Sequence, residues 1–127
     1  MSESPAAAAA ALDRVRSAAL ALPESEERLS HGQPTFFVAG KQFAQYRAFH
    51  HGDDRIVVCV RTSGTDEQSM LIEADPEVYS RPAYLGPSGW VAINLSGGEI
   101  DWDHVADRLV RSWELAAPRS LLEAGGR

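Results

Sequence analysis

The chain predicts an α+β fold: one domain in which an antiparallel sheet carries its helices on one face, in the order α-β-β-β-α-β-α. Two stripes have the three- and four-residue spacing of helices that bury one side. They are Leu12, Val15, Ala19 and Leu22 near the start, and Trp102, Val105, Leu109 and Trp113 near the end. Between them lie short runs rich in β-branched and aromatic residues, broken by glycines, as hairpin-linked strands are. Helices flanking such a run give a helix layer on a sheet layer. A sheet covered on one side leaves its other side to solvent or to a partner. With 127 residues, no internal repeat and no linker, the chain is one domain over 1–127, its core spanning about 5–122.

Ser4-Pro5 is a helix start, with serine capping free amides and proline placed where its missing N–H costs nothing. Six alanines then favour helix, and Pro23 ends it. Residues 23–33, with Glu24, Glu26 and Glu27, predict a short helical turn and a loop. Pro34 opens a strand over 35–39, and Gly40 turns it into an aromatic-rich strand over 41–49. The tip His50-His51-Gly52-Asp53-Asp54 leads to a third strand over 55–61. There Ile56, Val58 and Val60 form a core face, and Arg55, Val57, Cys59 and Arg61 the opposite one. Thr65-Asp66-Glu67-Gln68 has the spacing of a capping box, with Thr65 as N-cap and Gln68 reaching back. Met70, Leu71 and Ala74 then give that short helix its apolar side. Asp101 caps the last long helix, Pro118 stops it, and Leu121 and Leu122 extend to one more helical turn.

The most patterned stretch is 75–95. Asp75-Pro76 repeats the cap-and-proline signal. Pro82 and Pro87 stiffen the loop that follows, while Gly86 and Gly89 admit backbone angles other residues avoid. Val91, Ile93 and Leu95 form the core face of the outgoing strand, opposite Trp90, Ala92 and Asn94. A loop this constrained has a reason beyond packing.

The net charge of −6 argues against a protein whose main affinity is nonspecific attraction to phosphates, and leaves room for a local basic face. Of twelve basic residues only Lys41 is lysine; arginine is the better residue for forked contacts to phosphate or carboxylate. The single Cys59 excludes an internal disulfide and fits a reducing compartment. No apolar run approaches the roughly 20 residues that span a bilayer, and the first residues lack the basic and apolar segments of a secretory signal. A cytoplasmic protein without membrane contact, a monomer or weak dimer, is expected.

Catalytic motifs are absent, so an enzyme is not expected, nor a cofactor or metal. Gly86-Pro87-Ser88-Gly89 lacks the residue between serine and glycine that a nucleophile elbow needs. There is no glycine-rich phosphate loop with its lysine, and Cys59 has no evident activating neighbour. His50, His51, Asp53 and Asp54 are metal-ligand types, but adjacent strand residues point to opposite faces.

Several segments together resemble the MmcQ/YjbR family. They are His31-Gly32-Gln33-Pro34-Thr35-Phe36, Gly40-Lys41 with Phe43-Ala44, and Asp75-Pro76-Glu77-Val78-Tyr79. Tyr84-Leu85-Gly86-Pro87-Ser88-Gly89-Trp90-Val91 is the most specific, and Trp102 with Ala117-Pro118 completes the set. The resemblance runs over residues 12–122. It implies a CyaY-like α+β fold. Family members are commonly named DNA-binding by analogy of shape, so it also implies DNA as a partner. It brings no agreed catalytic residues. Phe37 stands where relatives are expected to carry a polar or basic side chain.

Two sites of different classes follow. DNA binding would use Lys41, Arg47, Arg55, Arg61, Arg81 and Trp90 on the non-core sheet face and its adjoining loop, cations for phosphate and a flat ring for a base. A small-ligand or protein-partner pocket would instead use His31, Tyr84 and Trp90, and requires His31 to stand partly exposed beside a concave site.

Overall fold

The computed structural model describes residues 4–49, 55–97 and 99–124. The histidine–aspartate tip at 50–54 lies outside the described residues. Helix α1 (Pro5–Leu20) leads to β1 (Ser25–Ser30), β2 (Gln33–Val38), β3 (Lys41–Ala48), β4 (Ile56–Val60), α2 (Thr65–Ala74) and β5 (Tyr79–Ser80). A 3₁₀ turn (Gly86–Ser88), β6 (Val91–Asn94), α3 (Trp102–Ala116) and α4 (Arg119–Glu123) follow. All strand pairs are antiparallel, in the order β1-β2-β3-β4-β6-β5. The main core lies between this sheet and the helices: Val15 and Ala19 of α1 and Leu109 and Trp113 of α3 pack with Phe36, Tyr46, Val58 and Ile93. The α+β class and the packing of the two long helices on one sheet face are as the sequence predicts.

The caps on the long helices form as expected. Ser4 Oγ accepts from the Ala7 amide and Asp101 Oδ1 from the His104 amide. The alanines of α1 do more than favour helix. Ala8, Ala11 and Ala19 are buried, and the Tyr46 hydroxyl donates to Ala8 O at 2.6 Å. Burial pushes that phenol up to about 12.

Two strands correct the expected order. Residues 25–30 form β1 rather than a helical turn and loop, and residues 79–80 add β5. Strand β1 is an edge strand of alternating exposure, tied to α1 by a two-pronged pair in which Arg16 Nε and Nη2 meet Glu27 Oε1 and Oε2 at 2.6 and 2.8 Å. Its turn into β2 places His31 and Gly32 at φ 53 and 78, and the turn into β3 places Ala39 and Gly40 at φ 50 and 80. Positive φ at both central residues is the two-residue hairpin turn whose twist matches the strands.

Between these hairpins sits a β-bulge. Phe36 pairs with Ala44 but Phe37 pairs with Gln42, so Phe43 is an extra residue on β3. Phe43 and Ala44 both enter the core, and Gln42 and Gln45 therefore come to the same, opposite face. The bulge frees backbone carbonyls that Ser112 of α3 and Arg61, just after β4, satisfy. Ser112 Oγ donates to Phe43 O and accepts from the Arg61 amide, and Arg61 Nε donates to Gln42 O at 2.8 Å.

Helix α2 corrects the capping box. Its N-cap is Gly64, Glu67 Oε1 takes the Ser63 amide at 2.7 Å, and Gln68 turns inward, 2% exposed, while Met70 is 61% exposed. The far sheet face is also less open than predicted. Segment 81–90 folds over it, and Trp90 and Leu85 pack on Val57, Cys59 and Ala92 in a second small cluster.

Candidate ligand cavity

A cavity of about 480 Å³ lies on the sheet face opposite α1 and α3, between the first hairpin and the 81–90 segment. The hairpin contributes Ser30, His31 and Gln33 to one wall; Tyr84 and Leu85 form the other. The floor is β3, presenting Gln42, Gln45 and Arg47. Gln42 reaches it only because of the bulge.

The floor is a chain of buried polar groups, each satisfied by the next. Gln45 Nε2 donates to Thr35 Oγ1 at 3.1 Å and lies 3.5 Å from Ser30 O. Arg47 Nε donates to Gln45 Oε1 at 2.9 Å, and its Nη1 to Ala83 O at 3.0 Å. One row of side chains thus fastens both walls to the sheet. Arg47 is 5% exposed, and beside it burial pushes the Cys59 thiol up to about 11. The Arg47 charge pulls the thiol the other way, with smaller effect.

The loop wall is held from behind by α2. Gln68 Nε2 donates to Gly86 O at 2.8 Å and to Trp90 O at 2.6 Å, and its Oε1 accepts from Arg81 Nε at 3.1 Å. So fixed, the loop carries Tyr84 at φ 67 with 76% of its surface exposed. His31, opposite, is exposed at the hairpin turn, its Nδ1 3.3 Å from Ser30 Oγ.

The structure therefore joins His31 and Tyr84, as the pocket reading requires. Trp90, 3% exposed, lies in the second cluster with Leu85 instead of lining the cavity.

The residues proposed for DNA do not form one patch. Lys41 is exposed at the second hairpin turn. Arg61 stands with its guanidinium 5.2 Å from the Trp90 ring centroid, half-buried, with its pKa lowered by desolvation. Arg81 is exposed and braced by Gln68. These three surround one end of the sheet near Trp90. Arg47 is inside the cavity floor, a correction to its expected exposure. Arg55 is exposed before the opposite end of β4, about 20 Å from Arg61 at the rise of a strand.

Sequence reasoning missed a second polar cluster. The Tyr79 hydroxyl and His104 Nε2 share a short hydrogen bond, and Arg108 Nη1 lies 3.9 Å from Glu67 Oε2. Arg108 Nε and Nη2 are buried without a partner among the described residues. The Ser63 amide, above all, holds the Glu67 carboxyl below its ordinary range. The cluster ties α3 to α2 and β5. The i,i+4 pair His104 and Arg108 on α3 was the available signal. Among the described residues no group of three His, Cys, Asp or Glu side chains is placed to hold a metal ion. No described helix is long and apolar enough to cross a membrane.

The sequence pattern of the YjbR family matches residues 20–115. No curated protein matches the chain. Among solved structures, a Deinococcus radiodurans protein with a DUF419 domain is similar at a TM-score of 0.67 and 20% identity, covering 82% of this chain and 76% of that one. At that identity the likeness shows a shared fold. The chain belongs to the YjbR family.

Proposed function

We propose that this YjbR-family protein is a binding module that holds a small organic ligand between the His31 hairpin and the Tyr84 loop. Tyr84 carries the reading: a mostly exposed aromatic side chain kept at φ 67 on the rim of a cavity with a buried polar floor. That backbone conformation costs a non-glycine residue about 1–2 kcal/mol, and persists only where the surroundings over-determine it. Here Arg47 holds Ala83 O, the Leu85 amide donates to Ala83 O and the Gly86 amide to Pro82 O. The volume of about 480 Å³ suits a small ligand.

The proposal is of binding without turnover. Ser30 and His31 are neighbours on an exposed turn, and among the described residues no third group orients the imidazole. DNA binding is the second reading, supported by Lys41, Arg61 and Arg81 around Trp90. It is the weaker one, because the Trp90 ring is buried and cannot stack on a base.

Amide shift mapping separates the two. Small-molecule fragments should move the amides of His31, Gln42 and Tyr84, and labelled single- or double-stranded DNA should leave them in place even at low salt. Salt-sensitive DNA binding with no fragment at the cavity would overturn the proposal.

A further inference from the structure

We infer that the ligand of this cavity is a small carboxylate borne on a planar ring, with its anionic end at Arg47 and its ring between His31 and Tyr84. The inference rests on the cavity reading and names its chemistry. The chain has eighteen acidic and twelve basic residues, yet none of the described residues lining the cavity is acidic. Arg47 is the fixed cation of the floor. Its bonded partners, Gln45 Oε1 and Ala83 O, are neutral, so they satisfy two donors and leave the charge uncompensated among the described residues. A shielded charge without a counterion favours an anion far more than an exposed one does.

The neighbours set the kind of anion. Half-buried Gln33 and Gln42 flank the floor with amide donors for carboxylate oxygens. One guanidinium matches one negative charge, where a phosphate dianion would call for more cations. The two ring-bearing walls, His31 and Tyr84, and the apolar Leu85 suit a flat body.

The probes are benzoate and benzamide, which share a ring and differ in charge, titrated calorimetrically and by amide shift mapping into the full chain. Benzoate should bind about tenfold or more tighter than benzamide and shift the Gln42 and Tyr84 amides. Gln42→Glu brings a like charge to the floor without touching the backbone oxygen that Arg61 uses. It should weaken benzoate about tenfold more than it weakens benzamide. If benzamide binds as tightly as benzoate at those amides, or Gln42→Glu leaves benzoate binding intact, the anionic class is refuted while the cavity reading stands. If neither probe shifts the cavity amides, both are refuted.

Discussion

Replacing Gln68 with methionine should loosen the loop wall of the cavity from α2. Methionine keeps the length and fills the space but offers neither donor nor acceptor. Three hydrogen bonds are lost: two to the carbonyls of Gly86 and Trp90, at 2.8 and 2.6 Å, and one from Arg81 Nε at 3.1 Å. Gly86 O keeps the Gly89 amide at 2.9 Å, so the loss falls hardest on Trp90 O. Gly86 O keeps a partner and exposed Arg81 can turn to water, so those two bonds together cost about 1 kcal/mol; with about 1–3 kcal/mol for the Trp90 carbonyl left unpaired, the expected cost is about 2–4 kcal/mol. For a domain of this size that lowers the melting temperature by about 8–15 °C. Urea unfolding should show a lower midpoint with an unchanged slope, and hydrogen exchange at the Gly86 and Gly89 amides should quicken. A loss under about 1 kcal/mol, or unchanged exchange at both amides, would show that Gln68 does not hold the loop.

Three further outcomes follow from the same geometry. Arg61→Ala removes the bond that braces the bulge and the stack on Trp90, so it should cost about 2 kcal/mol; an unchanged denaturation midpoint would contradict this. Gly89→Ala should cost more than Gly40→Ala, because both sit at positive φ but only at Gly89 would a Cβ meet backbone, 2.9 Å from Gly64 C. The expected costs are about 3 kcal/mol or more against about 1 kcal/mol, and equal melting temperatures would refute the difference. Glu67 has a folded pKa below its ordinary 4.5, so its contribution is present above that pH and is lost as pH falls through the folded value. Glu67→Gln should therefore flatten the acid side of the stability profile below pH 4.5, and parallel profiles would remove the carboxylate from the account.

The long elements were legible because their signals are local. The Ser4-Pro5 and Asp101 caps, the α3 stripe and the aliphatic face of Ile56, Val58 and Val60 all appear where expected. Strand β1 was not, because an edge strand need bury little. Glu26, Glu27 and Arg28 suit a solvated edge and read as loop. Its one signal was His31-Gly32, since histidine is among the residues enriched at positive φ and glycine is free there. Gln68 and Met70 were exchanged for a related reason. A polar–apolar reading sends glutamine out and methionine in, yet the Gly86 and Trp90 carbonyls of the 81–90 segment both accept from the Gln68 amide beneath them. The cavity was half legible. Tyr84 and His31 stood out by motif. The Gln42 and Gln45 pairing depends on a bulge that no alternation pattern shows, and Arg47 looked like a surface cation until Gln45 and Ala83 O were seen around it.

The most direct test of the cavity reading is fragment mapping on Tyr84→Gly beside the parent protein. Glycine relieves the positive φ while loosening the unfolded chain, so unfolding free energy should stay within about 1 kcal/mol. Fragments that shift the His31 and Gln42 amides of the parent should lose that effect in the variant. Equal binding in both proteins, or a variant destabilised by several kcal/mol, would make Tyr84 a structural residue and leave the cavity without a ligand-binding wall.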